Sequence, residues 1–307
     1  LLSSCGGSQP PIGAPGAMPQ SRAIATRTQR GGSWMLPKAK GQDLLYAPGG
    51  CGGTCVLSAS AGDLVGSLNE AGDAVCSDKV GNVFLVQNND VLEYPHGGSS
   101  PIATLSLPGN EGSACSVDPS TGDLAVVFKG SGDDVAVFPR ASGVPTLFGS
   151  QIDSLFCGFD QNGNLFVDGY SGEDYALSML PKGSATFSML SINRSMGQPG
   201  QLQWDGKYMT YQNRIRPLQV SRFAVSGSTV SVVGATKFGD LRSKHVVLSW
   251  IHGDRIFIPY PNHGVEAKQL GEWKYPKGGK QTTRFDFGSY QKTLILQGVT
   301  YSATGNK

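Results

Sequence analysis

Apolar and polar residues alternate in short runs along most of this chain, as in VFLV (83–86), LAVVF (124–128), NLFVD (164–168) and RIFIPY (255–260). Clusters of Gly, Pro, Asn and Asp bound the runs, which is the signature of brief strands joined by tight turns. Long amphipathic helix patterns are missing, and no stretch is apolar and long enough to span a bilayer as a helix. The pattern predicts an all-β protein.

The runs recur with a fixed period. CSDKVGNVFLV (76–86), CSVDPSTGDLAVV (115–127) and CGFDQNGNLFVD (157–168) each read Cys, Asp, a Gly-containing turn and an apolar run. Their turn glycines, Gly81, Gly122 and Gly163, stand 41 residues apart. Gly41 precedes them, and Gly206 and Gly253 follow at comparable spacing, which makes six copies. A second marker lies inside each unit: YPHGG (94–98), FPRASG (138–143), LPKGS (180–184) and YPKGG (275–279). Proline presets φ for the turn and glycine supplies the positive φ that ends it. The fifth unit has FAVSG (223–227), with Ala224 in the proline position. The base in these turns is His, Arg or Lys without pattern, as expected of a solvated tip.

Each unit therefore reads strand A, Asp-x-x-Gly turn, strand B, loop, strand C, Pro-base-Gly turn, strand D. In the second unit the strands fall at about 73–78, 82–87, 90–94 and 101–106. Four strands per unit of this length is a propeller blade, and one blade cannot bury both faces alone. The chain is expected to be a six-bladed β-propeller over 33–307, with TLILQGVTYSA (293–303) supplying a ring-closing strand. A seven-bladed ring is the alternative.

The phrase D-x-x-G-N-[VL]-F-[LV], at Asp78–Leu85 and Asp160–Val167, resembles NHL-repeat propellers and is similar to gluconolactonase-like and virginiamycin B lyase-like ones. The resemblance covers about 33–303 and implies the fold. The lactonase-like relatives hold a divalent metal with Glu, Asn and Asp in the channel. Here the inner strands read AVCSD, SACSVD, LFCGFD, QLQWD and LSWIHGD, whose only carboxylates are turn aspartates. No metal and no cofactor are expected on that comparison. The lyase-like relatives depend on a channel histidine. This chain has four His, and His96 falls on a turn.

Charge narrows the partners. Net charge is +2 with 16% charged residues, so nothing suggests nucleic acid or an anionic surface. The opening LLSSCGGS is a separate signal: Leu2–Cys5 resembles a bacterial lipobox, whose cysteine accepts a lipid. The Gly-, Pro-, Ser- and Gln-rich stretch after it reads as a disordered tether, giving a segment 1–32 ahead of the propeller. These residues point to an exported lipoprotein of a bacterial cell envelope, held in the membrane through Cys5. A truncated N-terminus with a free Cys is the bland alternative.

Cys76, Cys115 and Cys157 occupy matching places on successive A strands. Equivalent Cα atoms of neighbouring blades are expected to lie beyond disulfide range, so the three are read as buried small apolar residues. Cys51 and Cys55, in CGGTC, sit at the B–C connection of blade one, where two glycines let a local disulfide form in an oxidising compartment. His245 and His252, in KHVVLSWIHGD, lie on the expected A strand of blade six, and His263 lies on a loop; a hydrogen-bonding role is expected of each.

The A–B and C–D turns are short and repetitive, whereas the B–C and D–A loops vary, and variable loops on a rigid scaffold carry binding residues. The B–C loops offer Asp133, Asp168, Tyr170, Glu173, Asp174, Tyr211, Arg214, Tyr260, Asn262 and His263 as candidate ligand contacts. Acids lie on blades three and four; bases and aromatics lie on blades five and six. The leading expectation is a non-enzymatic propeller that binds a protein or small polar ligand through this face. A channel hydrolase or lyase is the rival, and a structural envelope protein is the third reading.

Overall fold

The Asp-x-x-Gly anchors and the proline turns fold the chain into six antiparallel sheets, the blades of a β-propeller. The computed structural model describes residues 32–130, 132–193, 196–213, 218–239, 241, 247–261 and 266–305. Strands A to D are Ala74–Ser77, Val83–Gln87, Asp90–Tyr94 and Ala103–Ser106 in blade two. They are Asn110–Val117, Leu124–Lys129, Val135–Phe138 and Thr146–Phe148 in blade three. Blade four has Asp153–Phe159, Leu165–Ser171, Asp174–Leu180 and Ser188–Met189. Blade five has Leu202–Trp204, Met209–Gln212, Gln219–Ser226 and Thr229–Lys237, with Ser191–Ile192 added in parallel outside. Blade six has Trp250–His252, Arg255–Tyr260, Gln269–Lys274 and Thr283–Arg284. In blade one, B to D are Leu44–Gly50, Gly53–Ser58 and Leu64–Leu68, with Trp34–Met35 on the outer edge. Its A strand comes from the other end of the chain: Thr300–Ser302 pairs with Leu44–Tyr46 and closes the ring. The count is six, not seven.

The A–B turns share one chemistry. Asp78 Oδ1 accepts the Val80 and Asn82 N–H groups, and Asp118, Asp160 and Asp205 do the same in blades three to five. Gly81 has φ 95°, and a Cβ there would lie 2.4 Å from the Ala303 carbonyl oxygen. Only glycine admits that backbone and that approach. Pro95, Pro139 and Pro181 follow directly on the last residue of their C strands, because proline has no N–H for the ladder. Blade five departs from the expected turn. Ala224 keeps its N–H and pairs with Ser231, so strand C runs on to Ser226 before turning.

Alternation along each strand sends successive side chains to opposite neighbours. Leu44 and Tyr46 face blade two, while Leu45 and Leu57 face blade six. Among the described residues this yields six apolar clusters, one per blade interface. Trp273, Tyr46, Tyr94, Tyr211, Phe84 and Phe138 are their largest fully buried members. Each contributes about 1.5–3 kcal/mol by leaving water.

Near the axis the A strands of adjacent blades do not share a sheet, and individual ties hold them. Ser77 Oγ donates to the Tyr301 carbonyl across blades two and one, at 2.6 Å. The Phe159 N–H donates to Ser116 Oγ across blades four and three, at 3.0 Å. The Gly200 N–H donates to Asp168 Oδ2 between blades four and five, at 2.9 Å. Gln203 donates to the Ile251 carbonyl and accepts its N–H between blades five and six, both at 2.8 Å. The Val299 N–H donates to the Leu248 carbonyl between the closing segment and blade six, at 3.1 Å.

Blades two and three are tied covalently. Cys76 and Cys115 form a disulfide, with Cα atoms 5.8 Å apart, which corrects the expectation of two separate thiols. The reason is register. Cys76 stands two residues before its turn aspartate, Asp78, and Cys115 three before Asp118. The two therefore lie on opposite faces of their strands and point at each other across the interface. Cys157, three before Asp160, is a free buried thiol, as expected. The Cys51–Cys55 disulfide is also present.

Arg140, Lys182 and Lys277 are exposed at their turn tips, but His96 is not solvated as expected. Its Nδ1 lies 2.7 Å from Ser302 Oγ and its Nε2 3.2 Å from the Gln42 carbonyl oxygen, so it clamps the closing strand. Burial holds His96 below the usual histidine range against the Gln42 bond and the Asp43 charge. Burial and the Arg255 charge do the same to His252. Both pKa values are lower folded than unfolded, so the unfolded chain takes up these protons more readily. The stability tied to their neutral forms is whole above about pH 6.5 and falls as pH drops below it. We predict that the urea midpoint declines from pH 7.5 to 5.5, and that the His96→Gln, His252→Gln chain shows a flatter decline. An unchanged slope would refute the assignment.

Candidate functional site

The two ends of the propeller axis differ. At the B–C and D–A end the described sequence candidates do not converge. Asp168 lies inside strand B of blade four, fully buried, where it accepts the Gly200 N–H. Tyr211 is buried in strand B of blade five; its hydroxyl donates to the Gln198 carbonyl and its ring meets Tyr175 edge-on at 5.4 Å. Neither stands on a loop, as the sequence suggested. Burial, then the Asp168 carboxylate, push both tyrosine hydroxyls far above their usual range. Tyr170 is half-buried in the same ladder as Asp168. Tyr260 is half-buried, its hydroxyl donating to Gln281 Oε1 at 3.1 Å. Asp133 and Glu173 are exposed at loop tips, and Asp174 is exposed at the start of strand C of blade four. Cys5, Arg214, Asn262 and His263 lie outside the described residues, as do His245 and the tether over 1–31. The cavity at this end is small, about 140 Å³, and is lined by Asp73, Ser113, Gln201, Gln212, Leu248 and Gln297.

Leu248 ends that cavity. From blade six its side chain packs against the cluster between blades two and three and the one between blades three and four, across the axis. Trp250, two residues on, packs against the two-three cluster and the six-one cluster. These side chains fill the middle of the channel.

Beyond them, at the A–B and C–D end, the A strands open into a bowl of about 360 Å³ to which all six blades contribute. Its walls carry Phe159, Trp204, Trp250 and Tyr301, with His252, Asp78 and Lys79 at the polar positions. The aromatic wall is held from behind. The His252 ring stacks on Tyr301 with centroids 3.8 Å apart, and Arg255 lies 5.6 Å from the Tyr301 centroid on the cation–π side. The Tyr301 hydroxyl donates to Asp43 at 2.6 Å; burial and then this carboxylate push it up to about 12. Burial also raises the Asp78 carboxyl, against three backbone N–H groups of its own turn. Trp204 and Trp250 stay partly exposed, and among the described residues neither indole N–H has a hydrogen-bond partner.

This arrangement can stack flat groups and receive hydrogen bonds at fixed points. Among the described residues no three His, Cys, Asp or Glu side chains gather as metal ligands. The Cys157 thiol is buried, and burial followed by Asp168 drives its pKa far up, which makes it a poor nucleophile. The bowl's signal was visible but not read: Trp204 ends the A strand of blade five and Trp250 begins that of blade six. What spacing alone lacks is the convergence of six strands that lie far apart in the chain.

Known proteins bear on the fold alone. No protein-family model matches the sequence, and no curated protein does. Among solved structures, a chain of the nidogen/laminin complex is similar with TM-score 0.63 and 10% identity, over 86% of this chain and 100% of that one. A protein of unknown function from Bacteroides caccae is similar with TM-score 0.62 and 12% identity, over 85% and 99%. The β-propeller domain of Cps50 (Swd1) from Myceliophteria thermophila follows at 0.53 and 11%, over 83% and 86%.

Proposed function

We propose that this chain is a binding propeller whose ligand enters the bowl at the A–B and C–D end. One observation carries the reading: the larger axial cavity is walled by aromatic rings from several blades, two of them indoles whose N–H groups have no partner among the described residues. Concave sites of this size, mostly apolar with a few placed polar groups, are where proteins hold ligands. The likeness to a chain of the nidogen/laminin complex supports the use of this architecture as a scaffold for partners. Kinship with NHL-repeat propellers rests on the Asp-x-x-Gly-Asn turns. The lipobox-like Leu2–Cys5 supports export and a lipid anchor at Cys5 in a bacterial envelope, and two disulfides suit an oxidising compartment.

The test uses the four indoles as reporters. A mixed library of small polar molecules and short peptides is added to 15N-labelled protein. Binders are expected to shift the Trp204 and Trp250 indole resonances and to leave Trp273, which is fully buried, in place. Trp250→Ala is expected to weaken those binders about tenfold or more. Binders that shift only residues of the opposite mouth, or a library with no binder, would reject the bowl.

A further inference from the structure

On the same face, a groove of about 400 Å³ runs between blades four and five, lined by Asn162, Met179, Trp204, Lys207, Tyr208 and Phe223 among others. Trp204 lines both this groove and the bowl, so the two cavities meet at one indole. A compact ligand would fill one of them; a ligand that uses both must be extended.

The polar groups along this track indicate its chemistry. The groove's own carboxylates are already occupied. Asp160 accepts the Asn162 and Asn164 N–H groups and the Asn164 side-chain amide. Asp205 accepts the Lys207 and Tyr208 N–H groups, the Tyr275 hydroxyl and the Arg222 guanidinium. Asn164 Oδ1 accepts the Lys182 N–H. Among the described residues, the groups without a hydrogen-bond partner include the Asn162 amide, the Tyr208 hydroxyl, the Lys207 ammonium, the His252 ring nitrogens and the Trp204 and Trp250 indole N–H groups. The Lys207 ammonium rests over the Tyr208 ring, 5.3 Å from its centroid. Across the track one carboxylate, Asp78 in the bowl, and one ammonium, Lys207 in the groove, remain open to a ligand, so neither sign of charge dominates. It presents flat rings edged by groups that donate and, at Asn162 and Tyr208, also accept. The strands beside it, B and C of blades four and five, are paired on both edges, so a peptide cannot add to them as a further strand.

We propose that the bowl and groove form one row of subsites for a neutral oligosaccharide, with successive sugar rings against Trp250 and Trp204 and hydroxyls met by Asn162, Lys207 and Tyr208. A pyranose has a face of C–H bonds that packs on an aromatic ring and a rim of hydroxyls that both donate and accept. This inference rests on the bowl as the binding site and adds the ligand class.

Cello-, xylo-, manno- and chito-hexaoses, and their disaccharides, are titrated into the full chain with the indole resonances as the readout, and polyproline serves as the counter-probe. At least one hexaose is expected to shift both the Trp204 and Trp250 indoles and to bind about tenfold or more tightly than its disaccharide. Trp204→Ala, which alters both cavities, is expected to lower hexaose affinity more than disaccharide affinity and so to shrink the gain with length. If this variant does not fold, Asn162→Ala and Lys207→Ala, both exposed turn residues, lower hexaose affinity and leave the melting temperature unchanged. Library binders in the bowl with no response to any hexaose at millimolar concentration overturn the carbohydrate assignment and leave the bowl standing. Trp204-dependent binding of polyproline in place of the sugars also overturns it. Silence of both indoles toward every probe removes the bowl as well.

Discussion

A chain ending at Gln297 is expected not to reach the native fold. It lacks Val299 and Tyr301, both buried, and the strand Thr300–Ser302 that pairs with Leu44–Tyr46. Losing a buried aromatic such as Tyr301 alone costs about 3–5 kcal/mol. Tyr301 also anchors the His252 stack and the Asp43 hydrogen bond, and its carbonyl receives Ser77. The Leu44–Gly50 strand then becomes an open inner edge, ready to pair with another chain. Whole domains are stable by only about 5–15 kcal/mol, so the sum of these losses consumes most of the margin. Near-UV circular dichroism and light scattering check it: lost tertiary signal and aggregation are expected. A monomeric, cooperatively melting product would show that the ring does not depend on this strand.

The second large effect concerns the tie between blades two and three. The Cys76–Cys115 disulfide spans 39 residues, and the chain-entropy relation gives about 4 kcal/mol for a loop of that length. Cys51–Cys55 spans 4 residues and is worth about 2 kcal/mol by the same relation. The Cys76→Ser, Cys115→Ser chain is therefore expected to melt lower by roughly 8–16 °C, taking about 2–4 °C per kcal/mol for a domain of this size. Cys51→Ser, Cys55→Ser is expected to shift the melting point by about half as much. Calorimetry of both variants, with mass spectrometry of the thiols in the parent, decides the matter. Equal small shifts, or free Cys76 and Cys115 in the purified parent, would contradict it.

The architecture was legible because one turn chemistry repeats. Asp78, Asp118, Asp160 and Asp205 each bind the N–H groups of their own turn, and such a local bond leaves its mark in the sequence. The closing strand was legible for a similar reason, since an alternating apolar run was left over after the last anchor. The inter-blade disulfide was also written in the chain but was missed. Aligning on the cysteines made Cys76 and Cys115 look equivalent, whereas counting from Asp78 and Asp118 puts them one residue out of phase and face to face. Asp168 was misplaced through its neighbour. Gly169 pairs with Ala176 inside the strand, where a Cβ would lie 1.9 Å from the Asp153 carbonyl oxygen. The glycine marks a close approach, the strand continues, and Asp168 is drawn into the blade interface. The bowl and its groove were the least legible. They depend on which way Trp204 and Trp250 lean across the axis, and that is set by packing against blades far away in the chain.

A ligand at one end of the axis or the other separates the bowl from the opposite mouth. Crystals of the full chain soaked with the same library of small polar molecules and peptides test this most directly. Density is predicted in the bowl, against Trp250 and Trp204, with contacts from Asp78, Lys79 or His252. Density confined to the opposite mouth, beside Gln297 and the exposed Asp133, Glu173 and Asp174, would contradict it.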